Sequence, residues 1–191
     1  MIRTMQRKFR KSRGFTLVEL MIVVAIVGIL AALAIYGVRK YMASAKSAEA
    51  KNSLGQLSKD ASAAYNREHM ASSVLAASGS AGVSNAICLG AGASVPSGVS
   101  KVKGSKYQSA AAEWDDVDRD TGWSCLKFSM SEPQYYLYNY TVVGTPGTSF
   151  QAVAQGDLDG DTVISTFSID GVVRDQTVVL APTIAETKPE E

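Results

Sequence analysis

A single carboxylate, Glu19, interrupts the start of a long apolar run, and three more, Asp157, Asp159 and Asp161, stand at alternate positions far along the chain. An ionisable group inside an apolar helix costs up to about 3 kcal/mol at a membrane centre, so Glu19 needs either a partner or, by snorkelling near the interface, a route to water. The run Asp157-Leu158-Asp159-Gly160-Asp161 has the spacing of the first oxygen ligands of a calcium loop, and Ile164 suits that loop's hydrophobic position. Thr162 stands where such a loop needs Gly, however, and Ser168 stands where it needs a bidentate Glu. The full motif fails. A tight Asp-Gly turn between two strands is the expected use of these residues, with calcium at Asp157, Asp159 and Asp161 as the alternative.

Cys88 and Cys125 form no CxxC pair, which argues against a zinc or thioredoxin-like site. In an exported chain two cysteines meet an oxidising compartment, so a Cys88–Cys125 disulfide is expected, against the alternative of two buried thiols. His69 is the only histidine, which leaves no Ser-His-Asp or multi-histidine constellation, and no enzymatic activity is expected. Tyr136, Tyr138 and Tyr140 share one face of a predicted strand, where they are expected to serve the core, as are Trp114 and Trp123.

The elements that position these groups begin with charge. Arg3, Arg7, Lys8, Arg10, Lys11 and Arg13 put six of the nineteen basic residues before residue 14, with no acid among them. The remainder then has thirteen basic against eighteen acidic residues, a formal charge of −5, which gives no support for nucleic-acid binding. From Leu20 to Val38 there are nineteen consecutive uncharged residues, and a helix of that length is just able to cross a hydrocarbon core of about 30 Å. The basic cluster predicts that its N-terminal side stays in the cytoplasm, and Arg39 and Lys40 are too few to reverse that bias. A secretory signal cut after Ala32-Leu33-Ala34 is the competing reading, but the run is longer than a usual signal core and Glu19 sits in its first turns.

The segment Lys11-Ser12-Arg13-Gly14-Phe15-Thr16-Leu17-Val18-Glu19-Leu20-Met21-Ile22-Val23-Val24-Ala25-Ile26 resembles the class III signal of type IV prepilins and pseudopilins. The resemblance rests on a basic leader ending in Gly, Phe directly after it, Glu four residues beyond, and an uninterrupted apolar helix. It implies that a prepilin peptidase cuts between Gly14 and Phe15, methylates the new Phe15 amine, and leaves the apolar helix in the product. It also implies that Glu19 meets the Phe15 amine of a neighbouring subunit. Such a buried pair adds little net stability, but a misregistered neighbour would leave one charge alone at a cost of several kcal/mol, so the pair sets register. Small residues such as Ala25, Gly28, Ala31, Ala32 and Ala34 would allow the helices to pack closely. Tyr36 departs from the family pattern, which has a kinking proline there in many members. Pseudopilins and some pilin relatives use calcium in the C-terminal domain, which keeps the calcium alternative in view.

Beyond Val38 the residues Ala43, Ser47, Ala50, Leu54, Leu57, Ala61 and Ala64 recur at steps of four and three, predicting one continuous helix face. A helix over 15–77 would be about 95 Å long, more than one small domain can bury. Residues 78–100 read as an irregular loop, and strands are predicted at Ser124–Met130, Gln134–Val143, Phe150–Gln155, Thr162–Ile169 and Val172–Leu180. The tail Thr183–Glu191 reads as a poorly ordered or surface segment.

The expected architecture is therefore α+β: a pilin-like ladle with a long N-terminal helix packed on an antiparallel β-sheet. Its parts are a removed leader over 1–14, a helix over 15–77 whose residues 15–38 serve as transmembrane segment and filament core, and a globular β domain over 78–191. The expected role is a subunit of a type IV pilus for adhesion and twitching motility, with no cofactor other than the calcium alternative. Its partners would be identical subunits, prepilin peptidase, the pilus assembly machinery and, before assembly, the inner membrane. A type II secretion pseudopilin or minor pilin is the alternative within the family, and an exported soluble calcium-dependent binding protein is the alternative outside it.

Overall fold

The computed structural model describes residues 14–67, 69–70, 83–116, 118–145 and 147–190, so the basic residues before Gly14 lie outside it. The chain divides into two compact units, Met1–Lys40 and Tyr41–Glu191. Helix α1 runs from Leu17 to Tyr65. Within the first unit its residues are exposed throughout, and this stretch is long and apolar enough to cross a membrane by length and composition.

In the second unit the predicted stripe becomes the buried face from its second residue on: Ala43 is half-buried, Ser47, Ala50, Leu54, Leu57, Ala61 and Ala64 are all buried, and Ser58 and Tyr65 join them. Helix α1 stops at Tyr65, not at Ala77. The Arg67 N–H closes on the Ala64 carbonyl at 3.1 Å, a tightened last turn, while its guanidinium donates to the Cys125 carbonyl at 2.7 Å. That anchor diverts the chain into a two-stranded pair, β1 (His69–Met70) with β2 (Val83–Ser84). Residues 71–77 of the expected helix lie outside the described residues.

The main sheet is antiparallel, with β3 (Leu137–Val142), β4 (Ser149–Gly156), β5 (Ser165–Arg174) and β6 (Thr177–Leu180) side by side, and β7 (Ala185–Thr187) pairing with β5 as well. Alternation sends Phe150, Ala152 and Ala154 of β4 and Phe167 and Ile169 of β5 into the core that α1 covers. The predicted break near Asp170-Gly171 does not occur. Gly171 is instead paired opposite Phe150, whose ring lies where a Cβ on residue 171 would sit, so this glycine serves packing. The chain reverses four residues later at Asp175-Gln176, both at positive φ (48° and 60°), as a two-residue hairpin turn requires.

Two further predictions are corrected. Ser124–Met130 is no strand: α2 (Gly122–Leu126) occupies its start, and Lys127 ends that helix in the left-handed conformation. Asp116 Oδ2 accepts the Trp123 N–H at 2.7 Å, and Trp114 meets the Trp123 ring edge-on at 4.9 Å, which fixes the helical turn from outside. Of the two alternatives for the tail, the surface segment holds and the poorly ordered one does not: β7 is exposed but lies on β5, and Glu186 pairs with Lys51 of α1 at 2.8 Å.

Candidate functional site

Gly14, Phe15 and Thr16 precede α1 in non-helical backbone, and Phe15 is 86% exposed. Thr16 is the N-cap. Its Oγ1 accepts the Glu19 N–H at 3.2 Å, while its own N–H and hydroxyl donate to Glu19 Oε2 at 2.8 and 2.9 Å. This is a reciprocal capping box, which satisfies donors that a helix start leaves open. Reading the sequence for an apolar run and an isolated acid passes over Thr16, although Thr-x-x-Glu ahead of an apolar stretch is the capping-box signature. The box gives Glu19 donors from its own helix end and holds its carboxylate at the first turn, one residue along the chain from the Phe15 nitrogen.

Every large apolar side chain from Leu17 to Val38 is more than half exposed, Val23 and Ile26 the least so at 52%. A Cβ on Gly28 or Gly37 would meet nothing within 4 Å. So extended an apolar surface is far beyond what a monomeric soluble protein leaves in water. Residues 9–35 match the family described as the prokaryotic N-terminal methylation motif. The chain carries a prokaryotic N-terminal methylation motif. It is similar to the type IV major pilin protein PilA of Myxococcus xanthus (strain DK1622), at 60% identity over 47 residues, 25% of this chain and 21% of that protein. It is also similar to the fimbrial protein EcpC of Eikenella corrodens, at 54% identity over 43 residues, 22% of this chain and 28% of that protein. The matches thus cover less than a third of either relative's length, and no solved structure matches the chain.

The other predicted site residues fall in the second unit. Cys88 and Cys125 are buried and joined in a disulfide with Cα atoms 5.8 Å apart. The bond ties the segment after β2 to α2, next to the carbonyl that holds Arg67.

Asp157, Asp159 and Asp161 do come together, with one carboxylate oxygen of each within 4.8 Å of the others. The connection is not the tight turn expected but an eight-residue loop, 157–164, between β4 and β5. Buried Asp157 accepts the Gly160 N–H at 2.7 Å and the Thr162 N–H at 3.0 Å, while Asp159 accepts from Asp161 at 3.1 Å and Asp161 from Val163 at 2.7 Å. The carboxylates therefore build the loop's backbone through successive Asx-type bonds.

Tyr136, Tyr138 and Tyr140 are fully buried on the sheet face toward α1, in the core role predicted. Burial pushes the Tyr136 hydroxyl to about 12 and raises Tyr138 and Tyr140 further. Sequence reasoning missed Glu49. This half-buried carboxylate on α1 accepts the Tyr135 N–H at 2.8 Å and the Tyr138 hydroxyl at 3.4 Å, joining helix to sheet. Burial raises its pKa, against lowering by those hydrogen bonds and by Lys106. No local pattern could have exposed the role, since its partners lie 86 and 89 residues away.

Proposed function

We propose that the chain is a structural subunit of a type IV pilus, held in the inner membrane as a precursor with its N-terminus in the cytoplasm, then assembled into an extracellular filament for adhesion and twitching motility. One observation carries this reading: the methylation motif leads directly into an apolar helical stretch whose large side chains are all more than half exposed. Lipid supplies the cover before assembly, and identical subunits supply it afterwards.

In this reading prepilin peptidase removes residues 1–14 by cutting between Gly14 and Phe15, and the Phe15 amine is methylated. Exposure of both residues outside the helix suits such a cut. The new ammonium then enters a helix-packed core, where it needs an anion. Glu19 of a neighbouring subunit answers that need and rejects other registers, because an unpaired charge there costs several kcal/mol. The capping box keeps the carboxylate supplied with donors until the neighbour arrives. The role is structural, and calcium at Asp157, Asp159 and Asp161 forms no part of it.

Replacing Glu19 with Leu tests the reading, with processing followed by the size of the membrane-held chain. Sheared filaments should fall by about a hundredfold, the equivalent of about 3 kcal/mol for an unpaired buried charge, while the precursor is still cut. Filaments at the parental level would contradict the assigned role of Glu19.

A further inference from the structure

We infer that Tyr36, Arg39 and Lys40 form a girdle that binds phospholipid headgroups of the outer leaflet and thereby sets the depth of the membrane-held chain. The inference rests on the membrane-held precursor proposed above.

Tyr36 lies three and four residues before Arg39 and Lys40, so the three side chains share one face of α1. All are exposed, Tyr36 at 71%. The two cations sit on the side of the span where positive charge is disfavoured by the rule that orients membrane helices, so their presence there needs another role. Headgroup phosphates supply it. A tyrosine next to them places an amphipathic ring where hydrocarbon gives way to water, the position at which such rings concentrate.

Distance makes the girdle a ruler. Glu19 lies seventeen residues before Tyr36, about 26 Å along a helix, against a hydrocarbon thickness of about 30 Å. With Tyr36 fixed at the outer edge, the Glu19 carboxylate rests close to the opposite edge, within reach of water. The carboxylate is then buried only when a subunit leaves the membrane for the filament, where its ammonium partner waits.

The test uses the full chain in cells, with single cysteines introduced in turn at positions 22–44 and labelled from outside by a membrane-impermeant maleimide. In the parent, labelling should begin just beyond Tyr36. In the triple variant Tyr36→Ala, Arg39→Ser, Lys40→Ser, the uncharged stretch reaches Ala45, and the onset of labelling should move at least about one helical turn, or roughly four positions, toward the C-terminus. An onset that stays within one position of the parent's would overturn the girdle. Labelling throughout 22–34 in the parent would instead overturn the membrane span itself, and the girdle with it.

Discussion

The two stretches of α1 use similar residues to opposite ends. Between Leu17 and Val38 leucine, isoleucine and valine point in every direction and remain exposed, whereas from Ser47 to Tyr65 only one stripe is apolar and that stripe is buried. A helix that is apolar all round is made for lipid or for copies of itself, and an amphipathic one is made for the domain it belongs to. In the proposed function assembly falls to the first stretch, fold stability falls to the second, and each can be broken separately.

The largest stability effect should come from the disulfide, which lies wholly in the second unit. Its cysteines are separated by 37 positions, and loop-closure entropy gives about 4 kcal/mol for a ring of that size. Urea unfolding of the Cys88→Ser, Cys125→Ser variant should show that loss, while the membrane insertion of the first stretch is unchanged. A loss below about 1 kcal/mol would move the stability of the domain away from this bond.

Next is a paired truncation that sets the two stretches side by side. Leu54 is fully buried and Leu33 is 65% exposed. Leu54→Ala should destabilise the domain by about 3 kcal/mol, and Leu33→Ala should change it by less than about 0.5 kcal/mol. Equal effects in detergent would erase the division between the two stretches.

That division was legible because periodicity carries it. The stripe from Ser47 to Ala64 and the nineteen-residue uncharged run both appear in the structure where the spacing puts them. What escaped was decided by distant partners. The helix stops at Tyr65 because Arg67 reaches Cys125, 58 residues on. Residues 122–126 coil because Asp116 and Trp114 hold Trp123, although the local composition suits a strand. Gly171 reads as a turn until Phe150 is found opposite it. At the N-terminus the opposite holds: Gly14, Phe15 and Glu19 lie within six residues of one another, so their pattern is visible without any tertiary contact. The capping box was equally local and needed only attention to Thr16.

The smallest effect sharpens the second stretch alone. Glu49 has a folded pKa raised by burial, so its neutral form is the one the fold favours. Its contribution is fully present below the ordinary glutamate range and is lost as pH rises through the folded pKa. The unfolding midpoint of the parent should therefore decline, relative to Glu49→Gln, as pH is raised from that range toward neutrality. A difference that runs the other way would mean that the bonds from Tyr135 and Tyr138 outweigh burial.

The most direct test of the central claim is mass spectrometry of the chain recovered from sheared surface filaments, read at its N-terminus. The recovered chain should begin at Phe15, carry an N-methyl group, and retain the whole apolar stretch of α1. A chain that begins after Ala34, without that stretch and in soluble form, would contradict the claim.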